Sequence, residues 1–134
     1  MVNKKMQATK DNINEDMYFY YLRDENRYIF GGVCLKKVDG FWCRGISLLS
    51  TNDQFDKPTA KRQARKRLIR AAITMENDLP VNPDSYESCK KLWRYYIGFF
   101  HRHIGDKTFY VKAHKVQYNA QLTKGENRMV NKPS

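Results

Sequence analysis

The sequence has few cysteines and no long apolar run. Only three cysteines occur among its 134 residues, so they do not form an even-numbered disulfide framework, and we expect Cys34, Cys43 and Cys89 to be reduced. The sequence contains no run of about eighteen apolar residues, which is the length that a membrane-spanning helix requires. Its first residues also lack the apolar segment of a signal peptide. These absences favour a reduced protein of the cytoplasm.

The sequence also lacks the short motifs with which common enzymes hold phosphate, activate a serine or bind zinc. Asp53 and Asp56 are the one carboxylate pair near the most basic segment, and turn formation and helix capping account for both. His101, His103 and His114 do not have the spacing of metal ligands, since on a helix the first two would point to different sides. We therefore expect a protein without enzymatic activity, metal or cofactor.

Positive charge and aromatic residues are abundant. Lys and Arg number 25 against 14 Asp and Glu, which gives a net charge of +11, and there are nine Tyr, seven Phe and two Trp. A chain of this length and composition is expected to fold as one domain around an aromatic-rich core. The charge predicts a polyanionic partner: DNA, RNA, a nucleoprotein or an acidic protein surface, but not a membrane.

Three segments have the composition of β-strands. They cover residues 17–23, 28–37 and 41–49, and the Asp39-Gly40 dipeptide between the last two is a hairpin signal. Short connections predict an antiparallel meander, one face of which must be covered. Residues 1–16 are polar, show no periodicity and are expected to form a flexible arm.

The segment that follows predicts a basic amphipathic helix. Asp56 or Lys57 stands at the N-cap position, and Pro58 suits the first turn. Apolar residues then recur at spacings of three and four, which gives a face of small side chains that can lie close to a sheet. The residues of this face are Ala60, Ala64, Leu68, Ala71, Ala72 and Met75.

Cations cover the rest of this helix. Between Lys57 and Arg70 there are seven Lys or Arg residues and no acidic residue, so no local ion pair relieves their repulsion. These cations, together with the loop 50–58, are expected to contact phosphates of a nucleic acid. The affinity for that nucleic acid is expected to fall as the salt concentration rises. The alternative is a solvated face that serves solubility. The candidate binding residues are Lys57, Lys61, Arg62, Arg65, Lys66 and Arg70.

Aromatic residues on the strands are a second candidate surface. Rings on a sheet face can stack with exposed bases, although rings on a meander also pack beneath helices. The residues in question are Tyr18, Tyr20, Tyr28, Phe30, Phe41 and Trp42.

A second helix is predicted after the basic one. Asp84 and Glu87 fit a capping box, an apolar stripe continues over residues 86–104, and Gly105 stands where a C-terminal cap is expected. Tyr95 and Phe99 lie off the stripe, so that side of the helix is either covered or an interface.

The remaining sequence predicts one more strand, over residues 107–118, that extends the sheet at its edge. Residues 119–134 contain almost no large apolar side chain and are expected to be mostly disordered. The whole therefore predicts an α+β domain over residues 17–118: a three-stranded antiparallel meander, a basic helix, a second helix and an additional edge strand.

Two resemblances arise around the basic helix. The pattern Arg44-Gly45-Ile46-Ser47, then Ser50, Asp53-Gln54-Phe55 and a Lys/Arg/Ala-rich helix, resembles a group of small phage-encoded basic proteins over about a third of the chain. This resemblance implies a phage or mobile-element origin. Small basic proteins of phages and mobile elements often regulate nucleic acid or block host defence. Three strands followed by a helix that begins with many cations also resemble the β-β-β-α half of a double-stranded-RNA-binding domain.

Three functional hypotheses follow from the sequence. The first is a protein that binds nucleic acid or a nucleoprotein through the basic helix. The second is a phage inhibitor of a host defence complex, such as an anti-CRISPR, that acts by protein contact. The third is a binder of small anionic nucleotides, with cations around an aromatic pocket.

Overall fold

The computed structural model describes residues 17–49, 56–82, 101–104, 107–110 and 114–132, and for 101–104 and 107–110 it describes the strands alone. The chain has an α+β fold, as expected. Its elements in chain order are β1 (Tyr18–Arg23), β2 (Ile29–Val38), β3 (Phe41–Leu48), α1 (Lys57–Thr74), β4 (His101–Ile104), β5 (Lys107–Tyr110), β6 (Val116–Tyr118) and α2 (Lys124–Val130).

Four antiparallel strands form the main sheet, in the order β1-β2-β3-β6. The predicted meander is confirmed. Its β2–β3 hairpin turns at Asp39 and Gly40, whose φ angles of 50° and 87° are the two positive values that a tight hairpin turn requires. An additional edge strand is present as predicted, because β6 pairs with β3 and ends the sheet, but it covers only Val116–Tyr118.

The single strand predicted over residues 107–118 is instead two strands in different sheets. β5 pairs with β4 in a separate two-stranded sheet, whereas β6 belongs to the main sheet. Between them His114 forms an isolated bridge with Pro80, and its Nδ1 lies 2.5 Å from the carbonyl oxygen of Asp78. The segment after α1 therefore contacts the chain at His114, just before β6.

The prediction of a helix that continues to Ile104 is wrong at its C-terminal end. His101–Ile104 is a strand whose last residue pairs with Lys107, so the helical argument about His101 and His103 does not apply. Gly105 was expected to cap this helix, but the Gly105-Asp106 dipeptide of the sequence is also a two-residue hairpin signal. The rest of that helix and the N-terminal arm lie outside the described residues.

The expectation of a disordered tail over residues 119–134 is also wrong. Thr123 caps α2, and its hydroxyl accepts from the amide of Glu126 while the Glu126 carboxylate accepts from the amide of Thr123, at 3.1 and 3.0 Å. Glu126 is 2% exposed. One buried carboxylate therefore fixes a segment whose composition alone gave no reason for order.

The partner of that carboxylate is Arg44 on β3, which is also buried. Its Nε donates to Glu126 at 2.9 Å, a second nitrogen donates to the other carboxylate oxygen, and further bonds reach Gln117 and the carbonyl of Gln121. Tyr20 on β1 also donates to Glu126, at 2.7 Å. The C-terminal segment is thus joined to β3 and β1 on the side of the sheet away from α1, and Arg44 also connects it to Gln117 of β6.

Helix α1 lies on the other side of the sheet, which we term the helix side. Gly45 on β3 permits the close approach, because a Cβ atom there would overlap the carbonyl oxygen of Ala64 and the amide nitrogen of Leu68. A Cβ on Gly32 of β2 would lie 3.9 Å from the Cβ of Ala60. The predicted apolar face of α1 is buried against this surface, with Met75 exposed at its end.

Substitution of Gly45 by alanine is expected to lower the free energy of unfolding by at least about 2 kcal/mol, because both overlapping atoms belong to the helix backbone. Chemical denaturation measures this. Gly125→Ala is the control: its Cβ would meet nothing within 4 Å, and alanine favours a helix by up to about 1 kcal/mol. Equal stability of the Gly45 variant and the wild type would contradict the close approach.

Glu126→Gln is expected to lower the free energy of unfolding by about 3 kcal/mol, because it removes the carboxylate charge that the buried Arg44 guanidinium contacts. Glu76→Gln, at an exposed carboxylate, should change stability by less than about 0.5 kcal/mol. The double variant Arg44→Met, Glu126→Leu should be more stable than Glu126→Gln. A Glu126 variant as stable as the control would show that the ion pair is not needed.

Candidate polyanion-binding surface

The ends of α1 are fixed by local capping. The Asp56 carboxylate accepts from the amide of Thr59 at 3.3 Å, which confirms the cap predicted at this position, and Pro58 stands in the first turn. At the other end Met75 adopts a left-handed conformation with φ 55°, and its amide donates to the carbonyl of Ala71 at 2.9 Å. The cations between these caps therefore sit at defined positions on a rigid helix.

Three of the candidate cations point away from the sheet. Arg62, Lys66 and Arg70 are all exposed and follow one another at four-residue spacing, about 6 Å along the helix axis. They lie opposite the buried alanine face. We term them the outer row.

The other three candidates run along the flank of α1. Lys57 and Lys61 are exposed and Arg65 is half-buried, again at four-residue spacing. The Lys57 ammonium lies 5.5 Å from the centre of the Tyr21 ring, and the Lys61 ammonium lies 5.5 Å from the centre of the Phe19 ring. We term these three cations the flank row. Two of them, Lys57 and Lys61, stand over aromatic residues of β1.

Arg67, the seventh cation of the segment, has a different role. Its guanidinium donates to the carbonyl oxygen of Ile46 on β3 at 2.7 Å, so it holds α1 against the sheet. Arg62 donates to the hydroxyl of Thr59 at 3.2 Å, a contact at the protein surface. Within the described part of the chain, none of the six candidate cations forms an ion pair with a carboxylate.

Cys34 lies beneath the flank row. It is 1% exposed, and burial raises the pKa of its thiol from 9.0 to about 12, an effect that the nearby positive charges of Arg65 and Lys61 oppose. Both Cys34 and Cys43 are free thiols, as predicted. The flank cations therefore adjoin an apolar, uncharged layer between helix and sheet.

The aromatic residues proposed as one stacking face do not share a face. Phe30 is buried, Tyr20 is bonded to Glu126, and Tyr28 is exposed at the β1–β2 turn. Strand alternation places Phe41 on the helix side and Trp42 on the other. Tyr18 accompanies Trp42, with ring centres 6.3 Å apart.

Sequence reasoning missed the rings that do adjoin the cations. These rings are Phe19 beneath Lys61 and Tyr21 beneath Lys57. A third ring outside the predicted set, Tyr118, lies against Phe41 with ring centres 5.4 Å apart. The available signal was the alternation of β1, in which Phe19 and Tyr21 face the same side as the glycines that admit α1.

Among the described residues, no group of three or more His, Cys, Asp or Glu side chains is placed to hold a metal ion. No helix in the described ranges is long and apolar enough to cross a membrane. Asp53 and the rest of loop 50–55 lie outside those ranges, so the loop's part in the surface stays a prediction.

The fold and surface define a small α+β protein with a basic helix exposed on one side of its sheet. Comparison with protein-family models, curated proteins and solved structures finds no match to this chain. The two resemblances noted in the sequence therefore stay predictions.

The thiol of Cys34 is expected to react slowly in the folded protein. At pH 8 a rise of the pKa from 9.0 to about 12 lowers its thiolate fraction by about a thousandfold. Alkylation followed by peptide mass spectrometry compares the rates of Cys34 in folded and denatured protein. Because only the unfolded thiol ionises between pH 9 and 12, stability should also fall across that interval. Equal rates in the two states would contradict the burial.

Proposed function

We propose that this protein binds nucleic acid, alone or within a nucleoprotein, through the exposed face of α1, without catalysing a reaction. One observation carries the proposal: six cations lie on one helix, and no described carboxylate pairs with any of them. Cations at this density repel one another, and this electrostatic repulsion is unfavourable for the helix. A bound polyanion would remove the repulsion.

The rigidity of the helix supports the same proposal. Its caps, the Gly45 contact and the Arg67 bond to Ile46 hold α1 on the sheet. The outer row therefore does not have to be ordered when a ligand binds, which lowers the entropic cost of association. Each phosphate neutralised in a duplex releases counterions, with a slope of about −0.9 in log affinity against log salt.

Solubility alone is a weaker explanation of these charges. A net charge of +11 already keeps a small domain apart from its copies. Charges that serve only solubility can be spread and mixed in sign, whereas those of α1 are of one sign over an 18-residue helix. This concentration on one element favours a specific anionic partner.

The test is the double variant Arg62→Glu, Lys66→Glu in the outer row. It is expected to weaken binding of generic DNA or RNA by at least about tenfold and to reduce the salt slope. Stability should change by less than about 0.5 kcal/mol, because both side chains lie off the buried face. Mobility-shift titration at two salt concentrations measures the first effect, and thermal unfolding the second.

The matched control is Lys124→Glu, Lys132→Glu, which changes two exposed lysines outside α1 by the same total charge. It should bind nearly as tightly as wild type. If both double variants lose affinity equally, net charge and not α1 determines binding. If wild type binds no nucleic acid even at low salt, the proposal is wrong, and contact with an acidic protein surface takes its place, as in a phage inhibitor of a host defence complex.

A further inference from the structure

The six candidate cations of α1 occupy two neighbouring ridges of the helix. Lys61 immediately precedes Arg62 in the sequence, and the same step joins Arg65 to Lys66. Successive residues of an α-helix are rotated by about 100°, so the flank row and the outer row are about 8 Å apart at the helix surface. Because both rows are ridges of four-residue spacing and adjoin one another, no third side chain stands between them.

The two rows are directed to different sides of α1. The outer row lies opposite the buried alanine face. Lys57 and Lys61 of the flank row are held over Tyr21 and Phe19 of β1, and β1 is an edge strand of the main sheet. An elongated anion that lies along α1 at this edge can therefore contact one row with each of its sides.

The spacing of the charges along α1 matches that of a DNA strand. From Lys57 to Arg70 the helix rises about 20 Å, so its six candidate cations follow at about one per 3 Å of axis. One strand of a DNA duplex carries a phosphate about every 3.4 Å of its axis. A duplex thus offers phosphates at a density that all six cations can use.

Helix α1 offers no ring on which an unpaired base could stack. Its sequence contains no aromatic residue, and the rings beneath the flank row, Phe19 and Tyr21, are covered by Lys61 and Lys57. Stacking on aromatic side chains contributes much of the affinity of proteins for single strands. A duplex keeps its bases stacked inside and needs no ring from the protein.

We infer that the nucleic acid bound here is duplex DNA, with α1 along its major groove, the outer row on the phosphates of one strand and the flank row on those of the other. The inference rests on the function proposed above and specifies its ligand. Because no side chain stands between the rows, the base edges on the groove floor are not contacted. Binding is therefore independent of base sequence.

The width of the groove selects this ligand. The major groove of B-form DNA is about 12 Å wide and admits an α-helix, whereas the minor groove is only about 6 Å wide. Two ridges about 8 Å apart reach both edges of the major groove through the long side chains of Lys and Arg. The major groove of duplex RNA is too narrow and deep for this arrangement.

The first test titrates wild type with one sequence as duplex DNA, single-stranded DNA and duplex RNA at several salt concentrations. We expect duplex DNA to bind at least about tenfold more tightly than the other two, with a slope of about −5 in log affinity against log salt for six phosphates. A duplex of shuffled sequence should bind equally. A duplex with bulky groups at C5 of its pyrimidines, which project into the major groove, should bind at least about tenfold more weakly.

The second test changes each row separately. The flank-row variant Lys57→Gln, Lys61→Gln loses two phosphate contacts, so its slope on duplex DNA should be smaller in magnitude by about 2. The outer-row variant Lys66→Gln, Arg70→Gln should show the same change, because the second strand loses two contacts. Thermal unfolding of each variant identifies any loss of affinity that comes from the fold.

Two controls separate these contacts from charge elsewhere and from packing. Lys57→Arg, Lys61→Arg keeps the charge over the β1 rings and should bind duplex DNA with the slope of wild type. Lys124→Gln, Lys132→Gln removes two exposed lysines outside α1 and should leave the slope unchanged.

The outcomes distinguish this inference from the function on which it rests. An unchanged slope of the flank-row variant, equal or tighter binding of single-stranded DNA or duplex RNA, or undiminished binding of the C5-modified duplex overturns the inference and leaves binding through α1 intact. Unequal affinity for the two sequences overturns it as well, since it requires contact with base edges. Absence of binding to every ligand removes the proposed function and the inference together.

Discussion

The close approach of α1 to the sheet at Gly45 is the constraint on which the rest of the structure depends. Because no side chain stands between β3 and the turns at Ala64 and Leu68, the helix lies directly on the strand. This contact determines which residues of α1 are buried and which face water. The alanine face forms the interior, Arg67 reaches the strand backbone, and the outer row projects into solvent. The candidate site is thus a consequence of packing beneath it.

The other side of the sheet is organised by a different interaction. Arg44 and Glu126 are both buried, and the carboxylate also joins Tyr20 and the cap of α2. A buried pair of this kind contributes little net stability, but loss of one partner leaves the other charge uncompensated. Its role here is to specify where the polar C-terminal segment lies. On one face of the sheet, therefore, the charged pair is buried. On the other face, the charged side chains lie on the solvent-exposed side of α1.

The features that the sequence predicted correctly depend on local interactions, whereas the features that it missed depend on contacts between separate segments. The meander, its Asp39-Gly40 turn and the Asp56 cap of α1 depend on local periodicity and turn chemistry, and each was predicted. The strand at His101–Ile104 depends on pairing with a neighbouring strand, which competes with a helical apolar stripe. The order of α2 depends on an arginine 82 residues away. Neither can be derived from the composition of its own segment.

The sequence by itself determined the α+β class, the bounds and amphipathic character of α1, and the six candidate cations, because these follow from residue type and spacing along one element. Only the tertiary structure separated the outer row from the flank row, since that distinction depends on how α1 is oriented over β1. It also divided the aromatic residues between core, turn and the exposed ring of Phe41. Strand register and the glycines beneath the helix decide which side each ring occupies, and this requires residues far apart in the chain to be brought together.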